Sequence, residues 1–213
     1  MKFKHILNER VKPATNSELK KIVEDTIKEK GPNCDLNFID TSIIRDMSRI
    51  FEDSDFNGDI SKWNVSSVEN MSYMFWNSKF NGDISKWDVS KVKEMHYMFC
   101  NSQFNGDISK WYVGNVEDMN RMFAGAEQFN QPIVRWNTGK VRSMEKMFFN
   151  AKSFNQPIGR WSVYNVWSMH RMFEGAKSFK QDLSEWDVYS LRTKKDMFKN
   201  CPLEKNPPKW FNK

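Results

Sequence analysis

Three kinds of residue in this sequence carry chemistry that could make a site. The first is histidine, which can ligate a metal or carry a proton: His5, His96 and His170. His96 and His170 each follow a methionine in the same slot of a repeated block, but three copies apart. That is too far to share an ion, and no further ligand is read beside either, so the expectation is exposed histidines and no metal. The second is the triplet Asn-Gly-Asp at 57–59, 81–83 and 105–107. Calcium needs about six to eight oxygens, and calcium-binding β-helix repeats are richer in glycine. The expected role is therefore a turn whose Asn side chains form a ladder between copies, with Gly at positive φ. The third is tryptophan, whose ring can stack on a base or a sugar. At a fixed period, however, tryptophan reads as the core filler each copy needs. No serine-nucleophile context, phosphate loop or dinucleotide fingerprint is present. No catalytic residue and no cofactor is assigned, and the chain is read as a non-enzyme.

Aromatic and basic residues in variable slots point to binding. Trp76 stands where other copies have Cys100, Ala124, Phe149, Glu174 and Lys199, and Trp167 where they have Glu69, Lys93, Glu117, Arg142 and Arg192. Slots that accept charge face water, so both tryptophans are expected to be exposed, as are Tyr73, Tyr97, Tyr112 and Tyr164. Exposed Trp, Tyr and Arg are the residues that dominate binding energy at interfaces. Before each periodic Trp stands Lys62, Lys86, Lys110, Arg135, Arg160, Glu185 or Lys209. Asp59, Asp83 and Asp107 precede the first three by three residues, whereas Pro132 and Pro157 take that place before Arg135 and Arg160. Arg135 and Arg160, with Lys140, Arg142 and Arg171, thus read as an uncompensated basic patch suited to an acidic protein surface or a phosphate backbone. The expected partner-binding set is Arg135, Arg142, Arg160, Tyr164, Trp167, Arg171, Trp76 and Tyr112.

The elements that position these residues are repeats. Trp63, Trp87, Trp111, Trp136, Trp161, Trp186 and Trp210 are spaced 24 or 25 apart, and a Met-x-x-Met-Phe block keeps step with them. FNGDISKW occurs unchanged at 56–63, 80–87 and 104–111. Trp87 and Val89, two apart, fit an extended segment with one buried face. Val92, Met95, Met98 and Phe99, spaced 3, 3 and 1, fit a short helix or 3₁₀ turn. The expected fold class is therefore an α/β repeat solenoid of about seven coils, each a short strand plus a short helix or 3₁₀ turn, because a single unit cannot bury its own core. Gly125 and Gly175 are expected at left-handed positions. Residues 1–34 read as leader and helical cap, 35–203 as the repeat and 204–213 as a C-terminal cap. In the first cap Ser17 is the expected N-cap of a helix with Leu19, Ile22, Val23 and Ile27 on one face and Gly31-Pro32 as its stop. At the other end Trp210-Phe211 plugs the last coil.

Composition bounds the rest. Of 213 residues, 17 are Phe, 13 Met and 9 Trp, enough to build a core despite a mean hydropathy of −0.74. No apolar run approaches the roughly 20 residues that span a bilayer, and the N-terminus lacks a signal-peptide core. Three scattered cysteines, Cys34, Cys100 and Cys201, argue against disulfides and zinc and for a reducing cytoplasmic setting. The net charge of +6 divides into +3 over residues 1–34, −1 over 35–186 and +4 over 187–213. The balanced body disfavours nucleic acid as partner.

DTSIIRDMSRIF (40–51), WNVSSVENMSYMF (63–75) and FNGDISKWDVS (80–90) resemble the BspA-like bacterial surface protein repeat, domain of unknown function 285. The resemblance, over about residues 35–203, implies a right-handed leucine-rich-repeat-like solenoid used for binding, without a catalytic centre. Many relatives are lipoproteins or secreted adhesins, and this chain shows neither a signal peptide nor a lipobox cysteine. MKFKHILNE is similar to the leaders that carry internal proteins into large phage heads, with cleavage after Glu9. The resulting expectation is a non-catalytic intracellular protein–protein scaffold, encoded by a phage or mobile element and inhibiting a host protein. Its alternatives are a surface adhesin and a nucleic-acid binder or mimic.

Overall fold

The computed structural model describes residues 10–212, so His5 and the leader-like segment lie outside the described residues. The first element is helix α1, Asn16–Lys30. Its N-cap is Thr15 rather than Ser17. Thr15 has extended backbone angles, and its hydroxyl accepts from the Glu18 amide at 3.2 Å, satisfying one of the helix's orphan donors. Glu18 reaches back in turn to the Ala14 amide at 2.8 Å. Leu19 and Val23 are buried, Ile22 and Ile27 pack partly buried against the same core, and Gly31 ends the helix at φ 86°. Asn16 docks the helix on the first coil, donating from Nδ2 to the carbonyls of Asp46 and Ser48.

The strand-plus-helix coil is overturned. Among the described residues α1 is the one α-helix, two short 3₁₀ segments lie at Pro202–Glu204 and Lys209–Asn212, and no strand forms. Each repeat is instead a chain of β-turns. In one coil the i→i+3 bonds run from the Trp87 amide to Ile84, Val92 to Val89, Met98 to Met95 and Ser102 to Phe99. The Met-x-x-Met-Phe block has helical spacing because the two ends of such a turn both point inward. It is not a helix because the third residue of each turn is left-handed: Tyr97 at φ 57° and Asn101 at φ 55°. Positive φ there is the type II signature. The first of these slots recurs as Arg49, Tyr73, Arg121, Lys146, Arg171 and Asp196, and the second as Asp53, Asn77, Gly125, Asn150, Gly175 and Asn200. Gly125 and Gly175 are left-handed as expected, and Asn is the commonest substitute, being one of the side chains that tolerates this region.

Neighbouring coils are joined by backbone bonds. Met95, Tyr97, Phe99 and Asn101 donate to Asp118, Asn120, Met122 and Ala124 of the next coil at 2.7–3.1 Å. Among the described residues parallel pairing shrinks to isolated bridges, six of them in one column running Asp46–Asn70–Glu94–Asp118–Ser143–Ser168–Thr193 and two, Val11–Ile39 and Asp35–Asp59, outside it, because turns on both sides leave no room for a strand. The core is stacked in register. Phe51, Phe75, Phe99, Phe123, Phe148 and Phe173 lie 5.4–5.7 Å apart, centroid to centroid. Phe56, Phe80, Phe104, Phe129, Phe154 and Phe179 form a second column. The periodic tryptophans are core as read, each indole donating to a carbonyl of the preceding coil, for example Trp111 Nε1 to Ile84 at 3.1 Å.

The Asn ladder also forms. Asn57, Asn81, Asn105, Asn130 and Asn155 each accept on Oδ1 from the amide one coil later. Positive φ is not what Gly58, Gly82 and Gly106 supply. A Cβ on Gly58 would stand 1.9 Å from the Cys34 carbonyl, so there the requirement is space.

Candidate functional site

The residues two and four before the methionine block line one face. In the middle coils they form a groove of Glu69, Lys91, Lys93, Asn115, Glu117 and Lys140. The inner column of that face is continuous, because each amide of Glu69, Lys93, Glu117, Arg142, Trp167 and Arg192 donates to its predecessor at 2.7–2.9 Å. Its charges alternate and pair. Glu69 takes Arg45 at 3.2 Å and Lys93 at 2.9 Å, and Arg142 lies 3.6 Å from Glu117. Lys93 holds the Glu69 carboxyl below its ordinary range.

The alternation breaks at Trp167. It sits between Arg142 and Arg192 in the column, and Arg192 has no carboxylate in ion-pair range among the described residues. Beside it, Tyr164 stacks on Tyr189 with ring centroids 5.0 Å apart and planes 3° from parallel. Tyr164, Trp167 and Tyr189 remain 44%, 45% and 77% exposed, although the two stacked Phe columns and the periodic tryptophans from Trp63 to Trp186 are almost wholly buried. Three exposed aromatic rings with two arginines are thus gathered over the last three coils. Tyr189 was missed by sequence reasoning. Its signal was available, since it occupies the slot of Tyr164 three residues after the periodic Trp.

The structure divides the expected binding set. Tyr164, Trp167 and Arg142 come together on this face. Arg135 and Arg160 are exposed in the Ile-x-x-Trp turns, and among the described residues no carboxylate pairs with either. Arg171 does not join them. It lies in the methionine block, held by Glu174 at 3.2 Å and Asp196 at 3.5 Å. Arg142 and Lys140 are likewise engaged, Lys140 donating to Asn115 at 2.6 Å. Trp76 is half-buried, edge-on to Tyr73 at 6.1 Å. Tyr73 and Tyr97 stack at 4.5 Å between the guanidinium groups of Arg49 and Arg121. Tyr112 is exposed but alone, its ring lying against Gly114.

A second cluster lies around His96. Glu94, at an isolated bridge, and His96, two residues on inside the Met95–Met98 turn, approach one another, and the Glu94–Asp118 bridge sets Asp118 one coil away. His96 Nδ1 stands 3.6 Å from Glu94 Oε2 and 3.7 Å from Asp118 Oδ2, with Ser72 Oγ at 3.0 Å. Partial burial, and then the charge of Asp118, push the Glu94 carboxyl above its ordinary range. The expectation that neither histidine has ligands beside it therefore fails at His96. His170, in the same slot, faces Ser168 and Thr193 and contacts the Lys195 carbonyl instead.

The other candidate groups are structural. Asp59, Asp83 and Asp107 each accept from the amide of the serine two residues on, which holds their carboxyls below the ordinary range. They do not converge on a shared cation position. Cys34, Cys100 and Cys201 are free thiols, and burial pushes those of Cys100 and Cys201 up to about 11, away from the reactive thiolate. No described helix is long and apolar enough to cross a membrane.

No curated protein and no solved structure matches the chain. A family model described as "Mycoplasma protein of unknown function, DUF285" matches residues 18–116 and again 100–210, two successive placements that overlap over residues 100–116. The chain belongs to this DUF285 family of repeat proteins.

Proposed function

We propose that this protein is a non-catalytic, intracellular repeat scaffold that binds another protein through the Tyr164–Trp167–Tyr189 face. The single observation that carries this reading is the exposed tyrosine stack beside Trp167, where the charge ladder leaves Arg192 without a carboxylate. Rigid aromatics with few rotatable bonds and adjacent guanidiniums make strong anchors at an interface, and a partner with an acidic rim around an apolar pocket is complementary to them. The narrower reading, a phage-carried inhibitor of a host protein, rests on Met1–Glu9 and requires a mature chain beginning at Arg10.

Affinity capture with the full chain tests the face. Trp167→Ala with Tyr189→Ala removes two anchors at about 2 kcal/mol each, a loss of over about 100-fold in partner affinity. Tyr112→Ala, an exposed aromatic away from the face, leaves capture unchanged. Arg135→Glu with Arg160→Glu measures whether the separate basic turns add to binding. Equal capture by wild type and the Trp167/Tyr189 variant overturns the proposal.

A further inference from the structure

The slot that carries His96 recurs in every coil, but only here do the slots beside it hold two carboxylates. In parallel stacking, the residue before a methionine, the residue after it and the residue before the next coil's methionine fall on one face. In this coil pair they are Glu94, His96 and Asp118. At His170 the same three backbone positions hold Ser168, His170 and Thr193. The protein thus contains its own control, a matched histidine without the anionic partners.

We propose that Glu94, His96 and Asp118 bind a divalent transition-metal cation.

Three observations carry this. One donor atom from each residue lies within 4.8 Å of the other two, and His96 Nδ1 already stands 3.6 and 3.7 Å from the two carboxylate oxygens. Ligands about 2.0–2.2 Å from a shared ion lie about 3–3.5 Å from each other, so each carboxylate needs to approach the imidazole by only a few tenths of an ångström, and side-chain rotation draws the two carboxylates together from within 4.8 Å. The orientation is also built in. Asp118 Oδ1 accepts from the Asn120 amide at 2.8 Å, leaving Oδ2 toward the imidazole, while Ser72 Oγ, 3.0 Å from His96 Nδ1, holds the place on that nitrogen that the cation takes over. Finally, the two carboxylates have no lysine or arginine in ion-pair range among the described residues. The nearby Arg121 is engaged with Glu145 and the Tyr97 hydroxyl.

The donor set selects the ion. One imidazole nitrogen with two carboxylates suits zinc and its first-row neighbours, whereas calcium and magnesium take oxygen ligands. Three protein ligands leave at least one position for water, so this is an open site rather than a closed structural one.

The test is titration of the full chain with Zn²⁺ by calorimetry near pH 7, in a Cys34→Ser background that removes the accessible thiol. The expected result is one site per chain, weakened more than about tenfold by His96→Ala and by Asp118→Asn, and unchanged by His170→Ala. Asp118→Asn keeps the side-chain oxygen that caps the local turn, and near-ultraviolet circular dichroism verifies its fold. Zn²⁺ raises the melting temperature of the parent and of His170→Ala but not of His96→Ala. Absence of a site, or an equal site in His96→Ala and the parent, overturns the proposal.

Discussion

A tryptophan can be buried in every coil only because its one polar atom finds the same partner each time. The indole N–H of Trp63, Trp87, Trp111, Trp136, Trp161 and Trp186 donates to a carbonyl of the coil before, at 3.0–3.3 Å. That carbonyl belongs to the first residue of an Ile-x-x-Trp turn or its Leu36 equivalent, so the ring that fills the core also satisfies the backbone corner beneath it. Trp111→Phe keeps an aromatic ring and removes the donor, leaving the Ile84 carbonyl without this partner. The expected cost is about 1–3 kcal/mol in urea unfolding. A cost below about 0.5 kcal/mol means that the indole bond is dispensable and that ring volume alone decides the slot. The burial of this residue was legible from its period. Its hydrogen bond was not, since the acceptor lies 27 or 28 residues away and no local pattern marks it.

At the level of the element, the sequence misleads in an instructive way. Apolar residues at spacings of three and one describe a helix stripe equally well as two consecutive β-turns, because both bring residues i and i+3 to one side. What separates them is the sign of φ at the third residue of each turn. The Asn and Gly of the second turn signal it, but Tyr73, Tyr97, Lys146 and Arg171 of the first do not. An L-residue with a long side chain adopts the left-handed region at a cost of about 1–2 kcal/mol, and it is held here by its amide bond to the next coil. The ligand cluster at His96 was hidden by the same error. A helical block would not put Glu94 and His96 together as a bridge residue followed by a turn does, with Asp118 brought in by the next coil.

The corners themselves can be titrated. Asp59, Asp83, Asp107 and Asp182 accept from the amide and hydroxyl of Ser61, Ser85, Ser109 and Ser184, and these bonds hold all four carboxyls below the ordinary range. A group with a lowered folded pKa contributes its stability above its unfolded value, about 3.9 for Asp, and loses it as pH falls through the folded value. The loss therefore falls below about pH 4. Asn serves the same corner chemistry without a proton at Asn64, whose Oδ1 accepts from Ser66 at 3.1 Å. Replacing all four Asp by Asn is thus expected to flatten the fall of the urea midpoint between about pH 4 and pH 2. Parallel curves for wild type and the fourfold variant place the acid sensitivity elsewhere.

Across the whole molecule, coils touch only their neighbours, so stability sums over interfaces between them and the last coil depends on what covers it. Residues 202–212 provide that cover. Trp210 continues the tryptophan column, donating to Leu183 at 2.7 Å and stacking on Trp186 at 6.2 Å, and Phe211 lies 5.0 Å from Phe198. The role of Trp210 was readable because it keeps the period although Pro207-Pro208 interrupts the pattern around it. Trp210→Ala exposes one face of Trp186 and leaves the Leu183 carbonyl without the indole donor. Trp210 is only half-buried, so the expected cost is about 2 kcal/mol, less than for a central tryptophan. Hydrogen exchange resolves where that cost falls. With nearest-neighbour coupling, amides of residues 179–201 exchange faster while those of 80–150 keep their protection. The binding face follows, because Tyr189 and Arg192 belong to the loosened coil while Tyr164 and Trp167 belong to the one before it. Faster exchange along the entire chain instead makes the stack one cooperative unit, in which the face cannot loosen without the rest.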